Sequence, residues 1–126
     1  MGFPSNYFGS VPAPKLIIYR RKAMLKWPVV VKYQRDVELF LLDNQTQWNE
    51  HHLIEAQPPE LIIDSCGDCF QWHNNSWRIS DDKIRLEHLV SLIRYYAQIE
   101  GHCCTAKLGA KDYQQAFEII AYLNQQ

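Results

Sequence analysis

The chain has no hydrophobic run of the length a membrane crossing requires: LIIY and VVV are typical of its longest, against the roughly 20 apolar residues of a spanning helix. Nor does it open on a basic stretch followed by the apolar run of about 7–15 residues that marks a secretory signal. Both absences lead us to expect a cytoplasmic protein with no membrane partner. Catalytic signatures are missing as well. There is no GxSxG elbow, no glycine-rich phosphate loop, no HExxH helix and no EF-hand loop. The chain is therefore read as a non-enzyme with no cofactor.

Acidic residues are absent before Asp36, whereas Lys15, Arg20, Arg21, Lys22, Lys26, Lys32 and Arg35 all precede it. From Val37 onward thirteen acids face six bases, so the formal net charge of −1 conceals a basic beginning and an acidic remainder. Clustered cations beside Tyr19 and Trp27 have the character of a nucleic-acid surface, because neutralised phosphates release counterions. The competing reading sets residues 1–23 apart as a flexible basic leader. MGFPSNYFGSVPAP is rich in Gly, Pro and Ser and has no periodicity, and the organised pattern starts at Met24, itself a candidate initiator. This second reading is preferred, with a single compact domain over 24–126.

What is present is an ordinary globular composition, 47% hydrophobic and 21% charged, in 126 residues that suffice for one core. Pro28 to Tyr33 (PVVVKY) and Val37 to Leu42 (VELFLL), with a short polar link, predict a hairpin. DNQTQWNEHHLIEA predicts a short helix, capped by Asp43 or Asn44, with Trp48 and His52 one turn apart; QPPE ends it. ELIIDS, CFQW and SWRIS form a three-strand meander, in which Gly67 and Asp68 supply the positive φ of the first reversal.

Leu86, Leu89, Val90, Ile93, Tyr96 and Ala97 recur at helical spacing, and Gly101 is placed to stop that helix. CCTAKL reads as one more strand. Asp112 with Gln115 announces the last helix, striped by Tyr113, Ala116, Phe117, Ile120 and Leu123. The expected fold is α+β: a largely antiparallel sheet of about 5–6 strands with two long helices, about 86–100 and 112–124, packed on one face.

The stretch DSCGDCFQWHNNSW, residues 64–77, concentrates the candidate chemistry. Cys66 and Cys69 form CxxC, the spacing with which a turn presents two thiolates to zinc. Cys104 with His102 or His73 would complete a tetrahedral set. A single CxxC is only half of a structural zinc pattern, and a chain without an export signal keeps its four cysteines as thiols. The competing reading makes the cysteines small semi-apolar residues of a turn and a core strand. Redox exchange is disfavoured because a strand pattern, not a helix start, follows the motif. Asp64 and Asp68 read as turn residues bonding local amides in preference to an acid–base pair. Trp72 and Trp77 flank a turn and face each other across neighbouring strands, either as an exposed recognition patch or as core packing.

WPVVVKY, LIIDSCGDCF and EGHCCTAKLGAKDYQQAFEII together resemble a family of short, functionally uncharacterised bacterial proteins, over Trp27 to Leu123. The resemblance implies a compact cytoplasmic α+β domain and carries no active site. The expected function is a small binding domain whose partner is another protein, met through an aromatic sheet face bearing Trp72 and Trp77 or through an exposed strand edge. The alternatives are zinc binding through Cys66, Cys69, Cys104 and His102, and nucleic-acid binding through the leader.

Overall fold

The computed structural model describes residues 19–22, 24–55, 57–102 and 105–125. Within them lie six strands: β1 (Tyr19–Lys22), β2 (Val29–Tyr33), β3 (Leu39–Leu42), β4 (Pro59–Ile63), β5 (Asp68–His73) and β6 (Ser76–Lys83). They form one sheet in the order β1-β6-β5-β4-β2-β3, each neighbouring pair antiparallel. Three helices join them: α1 (Gln45–Ile54), α2 (Leu86–Ile99) and α3 (Tyr113–Asn124). None is long and apolar enough to cross a membrane.

Strand register explains why the sheet is apolar on both faces. Phe40, Val31, Ile62, Phe70 and Ile79 stand opposite one another across five strands, so they share a face. The next row, Leu41, Val30, Ile63 and Cys69, points the other way. Val30, Ile63 and Cys69 pack with Leu89, Ile93, Tyr96 and Ala97 of α2 and with Ala116, Phe117, Ile120 and Leu123 of α3. The opposite row packs with Leu25, Tyr33 and the fully buried Trp48 of α1. Each fully buried aliphatic or aromatic side chain contributes about 1.5–3 kcal/mol, which gives the domain two cores instead of a single covered face.

Local chemistry sets the element ends. The Asn44 side chain accepts a hydrogen bond from the Gln47 amide at 2.9 Å and caps α1. Asp112 does the same for α3 through Gln115 N at 2.8 Å, while the Gln115 side chain reaches back to Lys111 N. Gly101, at φ 90°, ends α2: its amide donates to Gln98 O and the His102 amide to Ala97 O, the paired bonds of a Schellman motif. Trp27–Pro28 is a cis peptide, directly before β2.

Three expectations change. β1 lies within the stretch set apart as a leader, and its pairing with β6 carries the sheet upstream of Met24; residues 1–18 and 23 lie outside the described residues. Helices cover both sheet faces and not one, since α1 lies on the face opposite α2 and α3. The strand expected over CCTAKL is absent among its described residues, where a 3-10 turn spans Thr105–Lys107. Arg94 Nε donates to Leu108 O at 2.7 Å, which ties this segment to α2 and away from the sheet. The β3 edge is met by α3: Asn124 accepts from Leu41 N at 2.9 Å and donates to Leu39 O at 2.8 Å, so a side-chain amide takes backbone groups that a further strand would take.

Candidate binding site

The β4–β5 turn is built around Asp64, only 1% exposed. Its carboxylate accepts hydrogen bonds from Cys66 N at 2.9 Å, Asp68 N at 3.0 Å and Lys26 N at 3.3 Å. Burial pushes its carboxyl above the usual range, against the opposing pull of these amides. Gly67 supplies the positive φ, 86°, and the Tyr113 ring lies directly over it. The hydroxyl of Tyr113 donates to Ile84 O. Asp64 is thus a structural staple joining the turn to the chain before β2, with its lone pairs committed to backbone.

The CxxC segment follows from that turn. Cys69 is buried in the α2–α3 core, and its thiol is pushed up to about 11, first by desolvation. Such a thiol stays protonated and is a poor nucleophile or ligand at neutral pH. Cys66 is half-buried on the turn, and His73 is exposed at the far end of β5. His102 stands beside Tyr122, ring centroids 6.3 Å apart. Cys104 lies outside the described residues. Among the described residues no group of three or more His, Cys, Asp or Glu side chains is arranged to hold a metal ion, so the zinc alternative has no support.

The basic stretch does not gather into one patch. Arg20, Arg21 and Lys22 belong to β1 at one edge of the sheet, whereas Lys32 sits in β2 and pairs with Glu60 at 2.7 Å. Arg35 occupies the β2–β3 turn at φ 72°. A continuous phosphate track is not formed by these positions.

The tryptophans, by contrast, come together. Trp72 and Trp77 are directly opposed on β5 and β6, with ring centroids 4.5 Å apart. Trp48 of α1 meets them at 5.8 and 5.0 Å, and its other side stacks on His52 at 4.8 Å and 16°. Rings in direct contact leave no gap for a cationic guest among them, so this is a packed cluster and not a cage. Gln45 Oε1 accepts from Trp77 Nε1 at 3.3 Å, and Tyr33 Oη is 2.8 Å from His51 Nδ1. α1 therefore crosses the sheet from Trp77 on β6 to Phe40 on β3, whose ring is 4.5 Å from His51. Burial holds the His51 imidazolium below its ordinary value and, with the Glu55 charge second, raises the Tyr33 phenol.

The outer side of α1 differs from its inner side. Leu53 and Ile54 are 84% and 79% exposed, side by side at its C-terminal end. Trp72 and Trp77 remain half-buried beneath it, as do Trp27 and Ile79 on the same face. Residue spacing pointed to the Trp72–Trp77 pair and to the Trp48–His52 turn, but not to their meeting. Nothing in the local sequence marked Leu53 and Ile54, because an apolar pair on a short helix reads equally as core. Elsewhere, an apolar cavity of about 430 Å³ is lined by Pro28, Leu41, Phe117 and Ala121 with Ser65, Gln114 and Glu118. It includes none of the candidate residues.

A family profile described as "protein structure with unknown function" (DUF4144) matches residues 27–120, and the chain belongs to that family. None of the curated proteins matches it. It is similar to a solved structure, "NMR structure of the protein from Shewanella Amazonensis", at 27% identity and a TM-score of 0.59, over 93% of this chain and 95% of that one.

Proposed function

We propose that the protein is a non-enzymatic cytoplasmic domain that binds another protein over α1 and the Trp72–Trp77 pair beneath it. The observation that carries this reading is the exposure of Leu53 and Ile54 on a helix anchored by the fully buried Trp48. Two adjacent large aliphatic side chains in water cost solvation free energy that a partner's cover would recover, about 25 cal/mol per Å². Half-buried indoles under the same helix match the aromatic anchors around which protein interfaces concentrate binding energy. The committed carboxylate of Asp64 and the protonated Cys69 support a non-catalytic reading. The two long helices on the opposite face act as the scaffold that keeps α1 and the sheet in place.

The test is capture of a stoichiometric partner by the full chain, compared with the Leu53→Glu/Ile54→Glu variant. Exposed substitutions of this kind alter stability by about 0.5 kcal/mol or less, so folding, followed by circular dichroism, is retained. Loss of capture supports the reading, and undiminished capture by the folded variant overturns it.

A further inference from the structure

α3 is fastened to its neighbours through its first and last residues. At Tyr113 the ring lies over Gly67 and the hydroxyl donates to Ile84 O. At Asn124 the side-chain amide bonds Leu41 N and Leu39 O of β3. Between these two fixed points the cleft of about 430 Å³ opens between α3 and the sheet, on the face opposite α1. Phe117 and Ala121 of α3 line one side, and Leu41 of β3 with Pro28, directly before β2, the other. Held at both ends, the helix is kept from settling onto the sheet and closing the gap. A cleft of this kind is preorganised, so a guest gains apolar burial without the cost of opening it.

The lining selects the guest. The cleft's volume falls within the roughly 300–1,000 Å³ of small-molecule sites, which are mostly apolar with a few polar groups. Here the polar groups are Ser65 on the β4–β5 turn and Gln114 and Glu118 one turn apart on α3. Glu118 is the one ionic side chain of the lining. Among the described residues its carboxylate has no ion-pair partner, and Lys26 and Lys111, which flank the cleft residues in sequence, do not pair with it. An apolar wall beside a single unpaired carboxylate complements an organic cation. A carboxylate guest would set like charges together, and a neutral one would leave the acid without complement. A primary ammonium carries three donors, and Glu118, the Gln114 carbonyl and the Ser65 hydroxyl are three acceptors for them. We propose that the α3 cleft binds a small primary amine with an apolar or aromatic body, its ammonium at Glu118 and its body against Phe117, Leu41 and Pro28. The site is separate from the α1 surface and does not rest on it.

The probes are 2-phenylethylamine, 2-phenylethanol and 3-phenylpropanoate, which share a ring and a two-carbon arm. Each is titrated into the full chain at about pH 7, where the amine is protonated, and followed by backbone amide NMR. The amine is expected to shift the amides of Ser65 and of residues 114–121, with the roughly millimolar affinity open to so small a ligand. It binds about fivefold tighter than the alcohol, an advantage that shrinks as salt rises, and the carboxylate binds weakest. Glu118 is exposed, so Glu118→Gln retains the fold; it brings the amine down to the affinity of the alcohol and leaves the alcohol unchanged. Ala121→Leu narrows the cleft and weakens both. Should Ala121→Leu not fold, the three probes and Glu118→Gln decide alone. Equal response to the three probes, an amine preference that survives Glu118→Gln, shifts centred away from the cleft, or no shift at roughly 10 mM amine each overturns the proposal. So does a dependence of the same amides on protein concentration without any probe, which would make the cleft a contact between copies of the chain.

Discussion

Replacing Gly67 by alanine probes the contact that joins the β4–β5 turn to α3. Gly67 holds φ at 86°, and an alanine Cβ there would lie 2.5 Å from Tyr113 Cζ and 2.8 Å from each Cε. Carbon atoms cannot approach so closely, so the ring must move. A Cβ in the left-handed region costs about 1–2 kcal/mol. Overpacking against a ring fixed in a helix costs about 1–3 kcal/mol more, and the Tyr113 bond to Ile84 O, if broken, about 0.5–1.5 kcal/mol. The expected destabilisation is roughly 2–5 kcal/mol, a large share of the 5–15 kcal/mol typical of a domain. Urea unfolding followed by tryptophan fluorescence measures it. A double-mutant cycle with Tyr113→Leu separates the terms: with the ring gone, Gly67→Ala should cost only the backbone share, about 1–2 kcal/mol. Equal costs in both backgrounds, or a cost under about 0.5 kcal/mol in the native one, would refute the close-approach reasoning.

Asn124→Ala removes bonds to Leu41 N, Leu39 O and Tyr96 Oη; a loss of about 1–3 kcal/mol is expected, together with concentration-dependent association through β3, read by analytical ultracentrifugation. His51, whose folded-state value is lowered from 6.5 by burial, contributes stability that is fully present above that value and lost as the pH falls through the lower folded one. His51→Gln should therefore flatten the decline in stability on acidification below about pH 6.5, measured by chemical denaturation at several pH values. Cys69 should resist iodoacetamide at pH 8 in the native protein and react on unfolding, as read by mass spectrometry, because its thiol titrates near 11.

Much of this fold was legible in the chain because the signals are local. The β-branched PVVVKY and VELFLL runs became the paired β2 and β3, and the meander around Gly67 became β4, β5 and β6. The apolar stripe from Leu86 to Ala97 faces a core, and Gly101 ends its helix. CCTAKL misled because a short apolar run has the same pattern whether it joins a sheet or bridges two helices; the Arg94 bond to Leu108 decided for the bridge. The YRRK strand was hidden for the opposite reason, since nothing apolar or alternating marks it.

At the level of sites, the register that opposes Trp72 to Trp77 was readable from the turn between them, and the lone-pair duty of Asp64 from its place before a reversal. Trp48 completing the aromatic cluster, Asn124 bonding one edge and the other edge standing at the end of the sheet were not. Backbone dihedrals, caps and periodicity are properties of neighbours in sequence, and the amino-acid order alone determined them. Which face α1 covers, which edge α3 meets and which apolar side chains stay in water depend on residues such as Asn124 and Leu39, 85 positions apart. Only the packed chain brings such groups within bonding distance, so only tertiary structure settles those questions.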